Sequence, residues 1–433
     1  MLKKLFSLPM AILVITLILI VAWQPITQNN QFFYDDWGYI QDFQKGLGTS
    51  LSYYMAAHNE HFMPLFKFYF FIMYKLFGQN IVPFMWMTIF WHILNTILFY
   101  ILSSLIFPAR PRFIFFLTLI WGISSVYYEV LHWISASPTA LTLIFFQLSL
   151  ILLHKAVKEK KPHLKKWSVL FSFFIPMNFS LGLTGVFFIV LYYLLILKQK
   201  FEIKKLAPYF LAWLLFLAFF YLSVYSPFFV MQNQPPITAK TNLSNSLQII
   251  LLSLFGLIQK SLGLTVWGDP LNMIIGFILG FNFVMGLYFI ILYLLLNQKK
   301  ERIPLSYSKS IALFSMLGIF IGYLAVSLSR TNLETAASFL RWGRYHYFPY
   351  FFACLFLGNF GLGFLQILGK TFNAKKIRWF FILLVVLYLI QHITTISSSA
   401  RSIIRLEGNI RPLSPAICQL ASTNTSVNTA AAI

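Results

Sequence analysis

Residues 5–23 read Leu-Phe-Ser-Leu-Pro-Met-Ala-Ile-Leu-Val-Ile-Thr-Leu-Ile-Leu-Ile-Val-Ala-Trp and carry no charged side chain. A helix of about 20 apolar residues crosses the ~30 Å hydrocarbon layer of a bilayer. Lys3 and Lys4 precede the run, as in a signal peptide, but no small-residue cleavage site stands before Trp23-Gln-Pro. We therefore expect a retained first membrane span, with its start held in the cytoplasm.

The composition of the whole chain extends this interpretation. Of its 433 residues, 59% are hydrophobic, 19% aromatic and only 10% charged, whereas a soluble domain carries roughly 25% charged residues. The apolar runs are continuous and do not alternate with polar residues, which excludes a membrane β-barrel. The sequence predicts an all-α, polytopic integral membrane protein.

Ten further apolar runs bring the prediction to about 11 transmembrane helices. We place them at 84–107, 113–131, 139–154, 167–181, 182–197, 206–226, 271–296, 310–329, 346–368 and 379–396. The stretch 247–267 is interrupted by Lys260, and we expect it to be interfacial or re-entrant. If it crossed, Lys299 and Lys300 would lie outside. The spans form a single membrane domain, 1–396, followed by an external tail, 397–433, that is partly disordered.

The net charge of +22 is explained by the lysines and arginines expected in the cytoplasmic loops of a membrane protein, and it does not indicate a nucleic-acid partner. Lys and Arg accumulate in cytoplasmic loops, and with this topology most of them fall there. We therefore expect a multi-pass protein of the cell membrane with its C-terminus outside. The long external segments are 24–83, 227–246 and 330–345. The two cysteines, Cys354 and Cys418, support neither a disulfide framework nor a metal site.

The first external loop contains a short amphipathic stretch and an acidic pair. Pro64 is a good first helical residue and Gly78 a good helix stop, which predicts a helix too short to span and suited to the membrane interface. Upstream, Asp35 and Asp36 are adjacent in a chain with only 11 acidic residues. Two neighbouring carboxylates repel each other unless cations or water surround them.

Most of the chemistry-bearing side chains fall on the same, external side in this topology. They are Asp35, Asp36, Asp42, His58, Glu60, His61, Glu129, His132, Asp269, Arg330, Glu334, Arg341, Arg344 and His346. A transporter is expected to place ionisable groups near the bilayer midplane, on broken helices. The spans here are nearly free of charge, which favours an enzyme that works at the outer leaflet.

Four motifs in this order carry a resemblance to a known family. They are Tyr-Asp35-Asp36 after the first span; His61-x-x-Pro-Leu with Leu-Phe-Gly78; Trp-His92-x-x-Asn95; and Tyr127-Tyr-Glu129-Val-Leu-His-Trp133-Ile-Ser. A further match, the late motif, is Arg344-Tyr-His-Tyr-Phe-Pro349. The chain resembles the GT-C superfamily of polyprenyl-phosphate-dependent glycosyltransferases. Within it, the nearest branch holds the transmembrane protein O-mannosyltransferases and their bacterial relatives.

The resemblance implies an inverting transfer of a sugar from a polyprenyl phosphate to a hydroxyl group outside the membrane. A sugar phosphate already has a good leaving group, so the chemistry needs a base for the acceptor hydroxyl and no general acid. By analogy with the family, Asp35 is that base, and Asp36 orients it or shares its proton. Outside this context, an Asp-Asp pair more often caps a helix or solvates a loop.

Cations are expected around the donor phosphate. Arg341 and Arg344 are three residues apart and would share a helix face, where arginine's fork matches phosphate oxygens. We take Arg344 as the first candidate, with Tyr345 or Tyr347 nearby. The alternative is that both arginines only anchor the entry to the next span. Lys67 and Lys260 are weaker candidates.

The remaining candidate residues have alternative roles that the sequence leaves open. His61 is expected to hydrogen-bond the donor phosphate or the acidic pair. Glu129 is either a second active-site acid or a structural partner of His132. Trp37 suits a sugar face or the membrane interface equally.

A metal ion and two other functions also stay open at this point. His58, Glu60 and His61 cluster, but not with His-Glu-x-x-His spacing, so a divalent cation is only one possibility. His92 and Asn95, at helical spacing, predict an interhelical hydrogen-bond pair. The alternative functions are a transporter or flippase of a lipid-linked saccharide and an O-antigen-ligase-like or polymerase-like enzyme. The expected partners are the lipid-linked donor, a protein, lipid or glycan acceptor, and membrane lipids.

Overall fold

The structure, a computed structural model, describes residues 8–28, 31–33, 35–56, 61–108, 110–225, 243–261, 306–330, 343–371 and 374–409. Within these ranges it contains α-helices, short 3₁₀ turns and one π-helical turn, and no β-strand. The α-helices are α1 Leu8–Trp23, α2 Asp35–Gln44, α3 Leu51–Met55, α4 Pro64–Phe77, α5 Ile81–Ile106, α6 Pro111–Ile123, α7 Tyr128–His132, α8 Pro138–Lys158, α9 Pro162–Phe174, α10 Gly185–Leu191, α11 Ile203–Tyr225, α12 Leu243–Ser261, α13 Tyr307–Arg330, α14 Tyr347–Thr371 and α15 Ala374–Asn409.

Seven helical segments are long and apolar enough to cross a membrane. They are Leu8–Gln28, Ile81–Ile106, Pro111–His132, Ile134–Lys158, Ile203–Ser223, Tyr307–Ser327 and Ile382–Arg401. The prediction of an all-α membrane protein is confirmed. The count of eleven spans is not reached among the described residues, and the predicted span 271–296 lies outside them.

The region predicted as two spans, 167–181 and 182–197, is built differently. Helix α9 begins earlier, at Pro162, and ends at Phe174. Ile175 still has helical angles, but Pro176 has no N–H to donate, so the helical hydrogen-bond pattern does not continue through it. Short helical segments then follow from Ser180 to Ile196, the last of them a π-helical turn, Tyr192–Ile196. Neither predicted span is one continuous membrane-length helix.

The predicted short helix after the acidic pair is confirmed. Helix α4 begins at Pro64 and ends before Gly78, whose φ of 59° is the left-handed value that favours glycine. Lys67 is 1% exposed and its Nζ donates to the carbonyl oxygens of Tyr53 at 3.0 Å and Ala56 at 2.7 Å. This weaker phosphate candidate points inward and fastens the chain after α3 to α4. Burial lowers its pKa to about 8.

The C-terminal helix is longer than predicted. Helix α15 continues through residues 397–409, which the sequence assigned to the start of the external tail. Ser, Ala, Ile and Arg in this stretch are all compatible with a helix, and no Gly or Pro stands before Gly408 to end it. The rest of the tail, 410–433, lies outside the described residues.

A buried polar network joins the three helices α5, α8 and α14. The His92 Nδ1 lies 3.1 Å from the Tyr347 hydroxyl, and the Asn95 Nδ2 donates to the same hydroxyl at 3.1 Å and to the Ala140 carbonyl at 2.9 Å. Gln147 completes the network by donating to the Asn95 side-chain oxygen at 2.9 Å. The predicted interhelical role of His92 and Asn95 is confirmed, and Tyr347 ties the late motif to α5 and α8.

Further hydrogen bonds fix which helix ends lie together. The Trp23 indole at the end of α1 donates to the Gly122 carbonyl at 2.9 Å, and the Thr88 hydroxyl near the start of α5 donates to the Leu131 carbonyl at 2.6 Å. His392 of α15 accepts from the Ser125 backbone N–H at 2.9 Å. The stretch 122–137, from the end of α6 to the turn before α8, is therefore hydrogen-bonded to α1, α5 and α15 at one end of the bundle.

Candidate functional site

The acidic pair opens helix α2, and its two carboxylates have different surroundings. Asp35 is exposed, whereas Asp36 is fully buried. Asp36 Oδ2 accepts from the Phe33 backbone N–H at 3.0 Å, and its Oδ1 accepts from the Ser135 backbone N–H at 2.8 Å and from the Ser135 hydroxyl. The buried member of the pair thus fastens the start of α2 to the 125–137 segment, and its neighbour faces outward.

Burial also changes the acidity of Asp36. Removal from water favours the neutral carboxyl and raises the pKa of Asp36. The hydrogen bonds from Ser135 and Phe33 favour the ionised form and lower the pKa, and the net result is a pKa of about 7. The negative charge of Asp35 also raises the pKa of Asp36, by a smaller amount. Near neutral pH, Asp36 therefore exchanges between a neutral and an ionised form beside the exposed Asp35.

We expect this shift to appear in the pH dependence of stability. Between its ordinary pKa of 3.8 and its folded value of about 7, Asp36 keeps its proton in the folded protein and loses it in the unfolded chain. The free energy of unfolding should therefore fall as pH rises from 4 to 7, by a contribution on the order of 4 kcal/mol. Denaturation of wild type and Asp36→Asn across this range will measure it. The variant should lack this contribution; two parallel curves would contradict the assignment.

A largely buried ion pair forms the second half of the site. Arg344 Nη1 lies 2.5 Å from Glu129 Oε1, and the Arg344 backbone N–H donates to Glu129 Oε2 at 3.2 Å. The two side chains are only 18% and 17% exposed, so little water screens the pair. Glu129 is thus the ion-pair partner of Arg344, while the His132 Nδ1 lies 2.8 Å from the Tyr128 carbonyl oxygen. The prediction that Glu129 is mainly a structural partner of His132 is therefore replaced by its ion pair with Arg344.

Aromatic rings hold the guanidinium in place. The Arg344 Cζ lies 4.8 Å from the centre of the Trp133 ring and 4.9 Å from that of Tyr345. Tyr345 is buried, and its hydroxyl lies 3.5 Å from Arg344 Nη2. Cation–π contacts of this kind strengthen when the cation is desolvated. The ring positions restrict the rotamers available to Arg344.

The two halves meet on one short stretch of chain. Trp133, which stacks on Arg344, is two residues before Ser135, which binds Asp36. The ring of Phe33, just before the acidic pair, packs edge-on against His132 with centroids 5.3 Å apart. Residues 125–137 therefore contact the segment of the acidic pair through His132 and Ser135, and Arg344 through Glu129 and Trp133.

The late motif approaches this stretch closely because the residue just before it, Gly343, has no side chain. A Cβ on Gly343 would lie 2.7 Å from the Val126 carbonyl oxygen and 3.4 Å from the Glu129 Cβ. The adjacent His346 is buried and its Nδ1 lies 2.7 Å from the Tyr323 hydroxyl. Together with Tyr347, these contacts fix the backbone from which Arg344 projects.

Gly343→Ala should therefore destabilise the protein. Because the clash is with backbone, we expect a loss of about 1–3 kcal/mol in the free energy of unfolding, together with displacement of Arg344. Gly361→Ala in α14 is the matched control, since its nearest heavy atoms are 3.8 Å away in the Phe113 ring. There alanine should be neutral or stabilising through helix propensity. Equal effects of the two substitutions in unfolding experiments would contradict the close approach.

His61 and Trp37 occupy different surroundings. His61 is 8% exposed and its ring lies against Phe179, with centroids 4.6 Å apart. Trp37 is 42% exposed, and its ring packs edge-on against Phe32. Its partial exposure next to Asp35 leaves a ring face available to a sugar or to the membrane interface.

Three predicted site residues, His58, Glu60 and Arg341, lie outside the described residues, as do Asp269 and Glu334. Among the residues that the structure does describe, no group of three His, Cys, Asp or Glu side chains is placed to hold a metal ion.

Sequence reasoning missed Ser135 and Trp133 as site residues. Both stand inside a motif that it quoted, but their partners, Asp36 and Arg344, are 99 and 211 positions away. A serine in a turn of the form Ser-Ala-Ser-Pro, just before a helix, looks like an ordinary capping residue. Only the fold brings it to the acidic pair.

Comparisons with known proteins do not place the chain in a family. No family model matches it, and no curated protein or solved structure matches it either.

Proposed function

We propose that the protein is a membrane glycosyltransferase of GT-C type that uses a polyprenyl-phosphate-linked sugar. The observation that carries the proposal is that Asp36, the neighbour of the exposed Asp35, and the Arg344 guanidinium both contact residues 125–137. Asp36 binds Ser135 there, and Arg344 stacks on Trp133 two residues earlier. A base and a phosphate ligand are the two groups that transfer from a sugar phosphate to a hydroxyl requires.

Asp35 is the general base in this proposal. It is exposed, and the backbone that carries it is fixed because Asp36 is hydrogen-bonded and buried. The acceptor O–H gives its proton to the Asp35 carboxylate while its oxygen forms a bond to the anomeric carbon. The bond from that carbon to the phosphate oxygen breaks on the opposite face, and polyprenyl phosphate leaves with the electron pair. Configuration at the anomeric carbon inverts.

Arg344 is the proposed ligand of the donor phosphate. A guanidinium carries five N–H groups in a fixed fork that suits phosphate oxygens. The contact with Glu129 uses Nη1, so a phosphate would add to this contact on the same fork. Trp133 and Tyr345 keep the group oriented before the donor arrives, which reduces the ordering cost of binding.

The charge distribution supports an extracytoplasmic site. Helix α8 begins next to Ser137 at the site end and finishes at Lys158 at the other. Ten lysines lie at or beside that second end, namely Lys155, Lys158, Lys160, Lys161, Lys165, Lys166, Lys198, Lys200, Lys204 and Lys205. By the positive-inside rule, this distribution supports a cytoplasmic lysine end and a site at the outer face.

A turnover experiment in detergent micelles tests the proposal and separates it from transport. The purified protein is mixed with a panel of polyprenyl-phosphate-linked sugars and hydroxyl acceptors, and polyprenyl phosphate release and the glycosylated product are measured by mass spectrometry. A transferase gives both products in equal amounts without any membrane. If the donor binds but is recovered intact with every acceptor, the flippase alternative is favoured and the proposal fails.

A further inference from the structure

A cavity lies at the lysine-rich end of the bundle, away from the site described above. Its volume is about 350 Å³. The walls come from the end of α8, the start of α9, the π-helical turn with the residues after it, and the start of α11. The lining residues are Leu153, Ala156, Val157, Lys160, Lys165, Tyr193, Gln199, Lys205, Leu206 and Tyr209.

The rim of this cavity is strongly cationic. Three of its lining residues are lysines. Two carboxylates stand beside them in the sequence: Glu202 pairs with Lys205 at 2.8 Å, and Glu159 pairs with Lys161 at 2.6 Å. Burial, and after it the charge of Lys205, lowers the pKa of Lys165, whereas the charge of Glu202 raises it. Gln199 and the two tyrosines add hydrogen-bonding groups to the same walls.

The floor of the cavity is apolar and already in place. Leu153, Ala156 and Leu206 are buried, and Tyr209, also buried, is held by a 2.8 Å hydrogen bond to the Ser168 hydroxyl. The chain reverses tightly between α8 and α9, with Lys160 at a left-handed φ of 55°. A ligand would therefore meet an apolar base and a cationic rim without a large rearrangement.

The surroundings of the cavity indicate that it opens at the membrane surface. Trp167, Phe201 and Ile203 are 53%, 59% and 57% exposed, and each stands within four residues of a lysine that lines the cavity. Exposed aromatic side chains beside lysines are typical of the interface between lipid and water. Basic pockets between membrane helices bind anionic lipid head groups.

We propose that this cavity binds the phosphate group of a phosphate ester, with Lys160, Lys165 and Lys205 as the phosphate ligands. A phospholipid head group from the surrounding leaflet fits the interfacial position, and a soluble phosphate ester offers the same chemistry. The inference is independent of glycosyl transfer, because none of these residues contributes to the site around Asp35 and Arg344.

Native mass spectrometry of the purified full-length protein in detergent tests the inference. Titration with phosphatidylglycerol, with phosphatidylcholine of the same acyl chains, and with glycerol 1-phosphate gives an affinity for each ligand. The pocket variant is Lys165→Gln with Lys205→Gln. The control variant is Lys158→Gln with Lys200→Gln, which removes two exposed lysines from the same end that do not line the cavity.

Phosphatidylglycerol should bind more tightly than phosphatidylcholine. Each lysine near an anionic head group contributes about fivefold, so the pocket variant should bind phosphatidylglycerol about 25-fold more weakly. The control variant should change the affinity by less than about threefold. Glycerol 1-phosphate binding with the same lysine dependence would support the phosphate site and identify a soluble ester as its ligand. Equal binding of the two lipids, or equal losses in the two variants, would overturn the proposal.

Discussion

Asp35→Asn will abolish sugar transfer while the protein still folds. The amide cannot accept the acceptor proton, and a positioned general base contributes about 10²–10⁴-fold to the rate. Asp35 is exposed, so the free energy of unfolding should change by no more than about 1 kcal/mol. Initial rates of polyprenyl phosphate release, measured at saturating donor and acceptor, will give the loss in kcat.

Two comparisons make this expectation specific. Glu159→Gln removes another exposed carboxylate, at the lysine end of the bundle, and should leave the rate unchanged. Donor affinity should also survive in Asp35→Asn, because the base contacts the acceptor and not the donor phosphate. Near-normal transfer by the Asp35 variant would refute its assignment as the base.

Removing either member of the Glu129–Arg344 pair will be strongly destabilising. Loss of one partner leaves a buried charge uncompensated, at a cost of about 3–5 kcal/mol. We expect Glu129→Gln and Arg344→Met each to approach this range, since both side chains are less than one-fifth exposed. The double variant should lose less than the sum of the two, with a coupling of about 2–3 kcal/mol. Unfolding by SDS titration in mixed micelles will supply the four free energies.

Arg344→Lys is the conservative control for this cycle. It keeps the positive charge but loses the fork and the flat face that stacks on Trp133. We therefore expect part of the stability to return, with donor affinity still reduced at least tenfold. Strictly additive losses in the cycle would show that the two side chains do not interact. Full donor affinity in Arg344→Lys would show that the fork is not needed.

Much of the fold could be predicted from the sequence because single runs of residues determine it. An uncharged stretch such as 5–23 has no stable position outside lipid, and the Pro64 and Gly78 signals bound a helix by local backbone chemistry alone. Likewise, His92 and Asn95 inside an apolar helix require partners from another helix. Each of these inferences uses information contained within one turn or one run.

The sequence failed where two local signals competed. Apolar composition suggested two spans between 167 and 197, but Pro176 ends the first helix and the chain continues as short helical pieces. Polar composition suggested a tail from 397, yet the helix continues to Asn409 because no residue before its last turn stops it. In both places backbone chemistry decided the outcome over hydropathy.

The candidate site could be predicted only in part. Asp35, Asp36, Glu129 and Arg344 stand out as charges in an apolar chain, and the fold joins Asp36 to Ser135 and Arg344 to Glu129. The partners Ser135 and Trp133 are unremarkable in the sequence, since their roles depend on contacts across 99 and 211 positions. The division of the acidic pair into one buried and one exposed carboxylate likewise requires the packing of α2.

A structure of the protein bound to a non-cleavable phosphonate analogue of a polyprenyl-phosphate-linked sugar tests the central claim most directly. The account predicts phosphonate oxygens about 3 Å from the Arg344 guanidinium and the Asp35 carboxylate facing the opposite side of the anomeric carbon, with room for one hydroxyl between them. An analogue bound away from residues 125–137, or Asp35 more than about 15 Å from Arg344 in that complex, would contradict it.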